Sequence, residues 1–227
     1  MKEITLCGTS HLDPQGPRRL KKLIEKIKPH VITVECLPQD IENYTARHEK
    51  IIECKEKIQK RIWNPGNFSK RELGYANKDS LFLHLHSLLY EVWISSKYVQ
   101  KNKKTELIPV EHPKLKGEKM KEILSDKGFQ ETRDTILVMI LMSPKTMKKY
   151  ADNDYNSVGS TNSDKKLLMV SERDEYTCKK ILEIKQDKIL HIGGLIHLFG
   201  NYKNLYELLK SKNANVKRIK LIDIDKE

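Results

Sequence analysis

Several catalytic and binding signatures are missing from this chain, and each absence removes a class of function. No GxGxxG follows the first apolar run, which argues against a dinucleotide fold, and no Walker A sequence is present. HExxH is absent, because His48-Glu49 is followed by Ile52 where the second histidine would stand. Gly8 to Leu12 (GTSHL) lacks the second glycine of a nucleophile elbow. The four cysteines, Cys7, Cys36, Cys54 and Cys178, form no CxxC pair and no zinc-finger spacing, so reduced thiols are the simplest reading. Cys36 stands beside Glu35, but no neighbouring residue would lower its pKa as a nucleophile needs. The longest strongly apolar stretch, residues 135–142, is far too short to span a bilayer. The opening Met-Lys-Glu-Ile does not read as a signal peptide. A cytoplasmic protein without a membrane span is therefore expected.

Arginine is scarce too, although the net charge is +12 and the isoelectric point near 9.4. Most of the positive charge is lysine, spread over nearly every segment. Readers of bases and phosphates favour arginine forks and clusters. The charge is read as a solvated surface, against a nucleic-acid partner. With 227 residues the chain has enough length to bury a core without disulfide staples.

What is present is a repeated spacing. Lys2 to His11 reads KEITLCGTSH and Lys188 to His197 reads KILHIGGLIH. Each is an apolar run followed by Gly-x-x-His. Two copies near the two ends of a domain-sized chain suggest two strands that deliver a histidine each to one place.

Periodicity supports that view. Residues 4–7 are a short buried strand ending at glycine, where the chain is expected to turn. Leu20, Leu23, Ile24 and Ile27 trace one stripe of a helix that Pro29 ends. Residues 31–35 (VITVE) are a β-branched strand. Strand, helix, strand closes most readily as a parallel pair with a right-handed crossover. Further strands are expected at 106–110, weakened by Pro109 to an edge or strand end, at 189–192, and at 216–224. A long polar helix or pair of helices is expected at 38–63, a loop at 64–77, a helix with Leu81, Leu85, Leu88, Leu89 and Val92 on one side at 80–99, and further helices at 116–125 and 131–141. Ser143-Pro144 opens a short helix reaching about Tyr150. Residues 152–163 read as a mobile loop, 165–185 as a helix capped by Asp164, and 201–210 as a helix. The expectation is a single α/β domain over 1–227, with a largely parallel sheet of four to five strands and helical insertions at about 38–104 and 113–163.

Ligands bind such sheets outside the carboxyl ends of the strands. There the sequence presents Gly8 and His11, then Glu35, then Glu111 and His112, then Gly194 and His197. Histidines with carboxylates suit a divalent-metal site or acid–base hydrolysis. Arg173 borders the inward face of its helix, set by Val170, Thr177, Ile181 and Ile184. It is either an exposed residue of a charged run or is aimed at Glu35 or a developing oxyanion. His84 and His86, two apart in a helical stretch, face apart and read as core or surface residues.

Four pieces in order carry a family resemblance: GTSH at Gly8 to His11, the strand-end Val34-Glu35, SERDEY at Ser171 to Tyr176, and GGLIH at Gly193 to His197. On these the chain resembles the TraB/PrgY pheromone-shutdown family, within a superfamily that includes Tiki proteins, ChaN-like proteins and erythromycin esterases. The resemblance covers about residues 2–36 and 167–210. It departs where the family's third strand ends in Asp-Arg and this chain has Glu111-His112. It implies hydrolysis, with His11, Glu35, Arg173 and His197 catalytic and Gly8, Gly194, Glu111 and His112 supporting them. It also implies that His11, Glu35 and His197 bind a divalent metal, Mn2+ or Co2+ by analogy with Tiki proteins. A metal-dependent peptidase acting on a peptide or other small substrate is the expectation. The alternative is a non-catalytic protein that sequesters such a ligand. Homo-oligomerisation is open.

Overall fold

A computed structural model describes residues 2–11, 13–53, 90–113, 143–159 and 164–226 of the chain. Five strands form one sheet: β1 (Glu3–Thr9), β2 (Val31–Val34), β3 (Glu106–Pro109), β4 (Lys188–Gly194) and β5 (Asn215–Lys220). Their spatial order is β3-β2-β4-β1-β5, and every pairing is parallel. Parallel strands need crossovers. The described helices are α1 (Gly16–Ile27), α2 (Asp40–Glu53), α3 (Tyr90–Lys101), α4 (Pro144–Ser157), α5 (Asp164–Glu183), α6 (Leu195–Phe199) and α7 (Leu205–Ser211). A 310-helix, Leu221–Asp225, follows β5. None of these helices is long and apolar enough to cross a membrane.

Alternation along the strands splits the core between the two sheet faces. Cys7, Ile32, Val34, Leu190 and Ile192 pack with Leu20, Leu23 and Ile24 of α1 and with Tyr90 and Val92 of α3. Ile4, Leu6, Val31 and Ile189 point the other way, onto Cys178 and Ile181 of α5 and Leu205, Leu208 and Leu209 of α7. Thr33 and His191 share this second face by parity, and they are register partners across β2 and β4. The two strands carrying Gly-x-x-His are direct neighbours, with Gly8 opposite Gly193 and Thr9 opposite Gly194. β3 is an edge strand and ends at Pro109, where a missing N–H costs the ladder least.

Three expectations are corrected. The loop read at residues 152–163 is helical through Ser157, because α4 has a buried stripe at Met147, Ala151 and Tyr155, four residues apart. Asn, Asp and Ser supply its exposed side and masked that stripe. The last strand stops at Lys220, and residues 221–225 wind into the 310-helix, burying Leu221 and Ile224. The helix read at 201–210 starts at Leu205, where the Asn204 side chain caps the Glu207 N–H. The Ser143 cap is present and accepts from the Thr146 N–H. The elements read at 64–77, 116–125 and 131–141, and His84 and His86, lie outside the described residues.

Candidate active site

The site is built around Glu35, one residue beyond β2 at the carboxyl edge of the sheet. Its Oε2 accepts from the Gly194 N–H at 3.1 Å. Its Oε1 lies 3.8 Å from His197 Nε2 and 3.9 Å from His191 Nε2. The register explains the meeting. Thr33 pairs with His191, so two residues on Glu35 comes level with Gly193, which has no side chain to occupy that space. A Cβ on Gly193 would stand 2.7 Å from both Glu35 Oε1 and His191 Nε2.

His197 lies on α6, which starts directly after β4, and its imidazole is held from behind. Nδ1 donates to Asp174 Oδ1 at 2.5 Å, and the Tyr202 hydroxyl donates to Asp174 Oδ2 at 2.6 Å. Fixing Nδ1 as the donor leaves Nε2 turned towards Glu35 as the working nitrogen. Arg173, beside Asp174 on α5, forks onto Glu111: Nε donates to Oε1 at 2.9 Å and Nη2 to Oε2 at 2.7 Å. That bidentate pair ties α5 to the end of β3 and leaves Nη1 outside the fork.

The groups tune one another. Burial pushes Glu35 up, but His197, Arg173, His191 and the Gly194 N–H outweigh it and hold its carboxyl at about 2. Burial pulls His197 down, and the Glu35 and Asp174 carboxylates more than reverse this, so its pKa is raised above 6.5. Burial dominates at His191 and lowers it to about 4, against the attraction of Glu35. At neutral pH the arrangement is therefore an ionised carboxylate, a strengthened base and a neutral buried imidazole.

The residues expected from sequence take distinct positions. Glu35, His197 and Arg173 share one electrostatic environment, and Glu111 anchors the arginine. Gly194 supplies its N–H to Glu35. His112 donates its backbone N–H to Glu111 Oε1 at 3.0 Å and sets its ring edge-on to Tyr176. His11 is the most exposed of the set, with 65% of its side chain accessible, and its Nδ1 donates to Glu91 Oε1 at 2.9 Å. The Thr9 hydroxyl bridges Glu91 and the Gly193 carbonyl, at 2.9 and 3.1 Å. Gly194 stands where β4 turns into α6, as the residue that precedes the helix, whereas Gly8 lies inside β1. Among the described residues only Gly159 is a glycine with positive φ. Gly8 instead lets Leu195 and Phe199 approach, since a Cβ there would sit 3.0 Å from each.

Among the described residues, no group of three or more His, Cys, Asp or Glu side chains is arranged to hold a metal ion. The expected ligands His11, Glu35 and His197 are all described and do not form such a group. The Arg173 charge also helps to lower the Glu35 pKa.

Four site residues escaped the sequence reading. Asp174 lies three, four and seven residues before Thr177, Cys178 and Ile181, all buried, so its helical position marks it as inward-facing. His191 interrupts an otherwise apolar central strand. Glu91 and Tyr202 carry no local signal that distinguishes them. Comparison of the chain with protein-family models, curated proteins and solved structures finds no match to any of the three.

Proposed function

We propose that this protein is a hydrolase that adds water to an amide or ester carbonyl, with a peptide or other small molecule as substrate. The observation that carries this reading is the Asp174–His197 pair, whose free nitrogen faces the Glu35 carboxylate at the carboxyl edge of a parallel sheet. The TraB-like arrangement of GTSH, Val34-Glu35, SERDEY and GGLIH supports the same reaction class. No step requires a metal.

In this mechanism a water beside Glu35 gives a proton to His197 Nε2 while its oxygen adds to the carbonyl carbon. The carbonyl π pair moves onto the carbonyl oxygen, and the Arg173 charge stabilises that oxyanion. Collapse of the tetrahedral intermediate expels the amine or alkoxide, which takes the proton back from His197. Asp174 keeps His197 in the required tautomer and stabilises the imidazolium, as the carboxylate of a hydrolytic triad does. Glu35, with its low pKa, orients the water as an acceptor rather than taking the proton itself. His11, exposed at the same edge, is placed to meet substrate.

Chromogenic peptide and ester panels with wild type, Glu35→Gln and His197→Ala test the proposal. Hydrolysis by wild type, reduced about 100-fold or more in both variants, is expected for lost acid–base chemistry. Equal rates in all three proteins would sink the catalytic roles. Tight ligand retention without product would instead make the site a sequestering one.

A further inference from the structure

His191 is the feature that the mechanism above leaves unused. It is fully buried in the central strand of the sheet, where Leu or Val would pack without a polar penalty. Its Nδ1 is 2.9 Å from the Thr33 hydroxyl on the neighbouring strand. Among the described residues its Nε2 has no hydrogen-bond partner. That nitrogen points at Glu35 Oε1 across 3.9 Å, too far for a direct hydrogen bond and close enough for one water to serve both. His197 Nε2 faces the same carboxylate oxygen at 3.8 Å. Gly193 allows both groups to approach, because a Cβ there would stand 2.7 Å from both Glu35 Oε1 and His191 Nε2.

We propose that His191 is a positioning residue that seats the hydrolytic water between its Nε2, Glu35 Oε1 and His197 Nε2. The inference rests on the hydrolase reading for the water's fate, but not for its place. When the Thr33 hydroxyl donates to Nδ1, the neutral imidazole carries its proton on Nε2. The Nε2–H then donates to one lone pair of the water. The water donates its two hydrogens to Glu35 Oε1 and His197 Nε2. Its second lone pair is left free, directed away from these three groups towards a substrate carbonyl. Such a water has every bond assigned, and its nucleophilic lone pair is the only one unoccupied. Burial keeps the His191 ring neutral at neutral pH, so one of its two nitrogens retains a lone pair.

The closing experiment has a structural arm and a kinetic arm. A crystal structure of the wild-type protein that resolves ordered water is expected to show an oxygen about 2.7–3.2 Å from both Glu35 Oε1 and His191 Nε2. Imidazole nitrogen NMR is expected to show Nε2 protonated and Nδ1 bare. A dry gap, or the opposite tautomer, would overturn the inference even if the protein proves to be a hydrolase. In the kinetic arm, His191→Gln keeps a donor near the Nε2 position, whereas His191→Asn keeps one near Nδ1 only. Gln is expected to stay within about 10-fold of wild-type kcat, and Asn to lose about 100-fold with little change in KM. The reverse order would reduce His191 to a structural partner of Thr33. If no substrate is turned over, or the variants fail to fold, the wild-type crystal and NMR results still decide the seat of the water.

Discussion

At the scale of single residues, the site depends on atoms that are absent as much as on those present. Gly193 makes room for Glu35 and His191, so Gly193→Ala forces a methyl to 2.7 Å from two polar atoms. It is expected to cost about 1–3 kcal/mol by overpacking, read as a lower urea midpoint, and to lower turnover as well. Asp174→Asn preserves shape but removes the charge that helps raise His197. The acid limb of the kcat/KM profile marks His197 losing its role as base. In wild type it lies above pH 6.5, with activity falling as pH drops through it. In Asp174→Asn that limb moves to lower pH, and the plateau falls by about 100-fold or more. An unmoved limb would show that another group sets it.

At the scale of elements, the site edge is secured by contacts that come from far along the chain. α4 is fastened to the segment after β1 through Tyr155, whose hydroxyl donates to Asp13 at 3.2 Å and accepts from the Ser10 N–H at 3.3 Å. Asp13 in turn pairs with the buried Arg19 of α1, which reaches Asp225 near the C-terminus. Tyr155→Phe leaves Asp13 with one partner fewer in a buried setting and should cost about 1–3 kcal/mol in chemical denaturation. Ser143→Ala, which removes the α4 cap, should cost about 1 kcal/mol without affecting the Glu35–His197 geometry. A loss of activity with intact folding in that variant would mean that α4 couples to the site.

For the whole molecule, the site makes stability depend on pH in opposing directions. Glu35 is held near 2, against 4.5 for an ordinary glutamate, so its contribution is present above about pH 4.5 and lost as pH falls towards 2. His191 is lowered from 6.5 to about 4. The unfolded chain binds its proton first, and stability declines as pH falls through that window. His197 has the opposite sign. Its stabilisation is complete below 6.5 and is lost as pH rises through its raised pKa. Denaturant titrations between pH 7 and 2.5 should show wild type losing stability on the acid side, and Glu35→Gln should have a flatter profile below pH 4.5. Parallel curves would mean that Glu35 has similar pKa values in the folded and unfolded chain.

The amino-acid sequence alone determined the α/β architecture. Apolar runs of strand length, the stripe of α1 and the strand–helix–strand opening are local patterns, and local periodicity reports directly on which face is buried. It also marked Glu35, Arg173 and His197 as candidates, because each follows a strand or borders a buried helical face. Only the tertiary structure decided who meets whom. It set β4 between β1 and β2, which brings His191 and Gly193 beside Thr33 and Glu35. It turned Asp174 onto His197 and sent Arg173 to Glu111, and it placed His11 against Glu91. These are contacts between residues 23 to 158 positions apart. Strand order and register create them, and neither quantity is carried by any short stretch of sequence. That is why two Gly-x-x-His motifs could point to one sheet edge but not to the buried histidine between them.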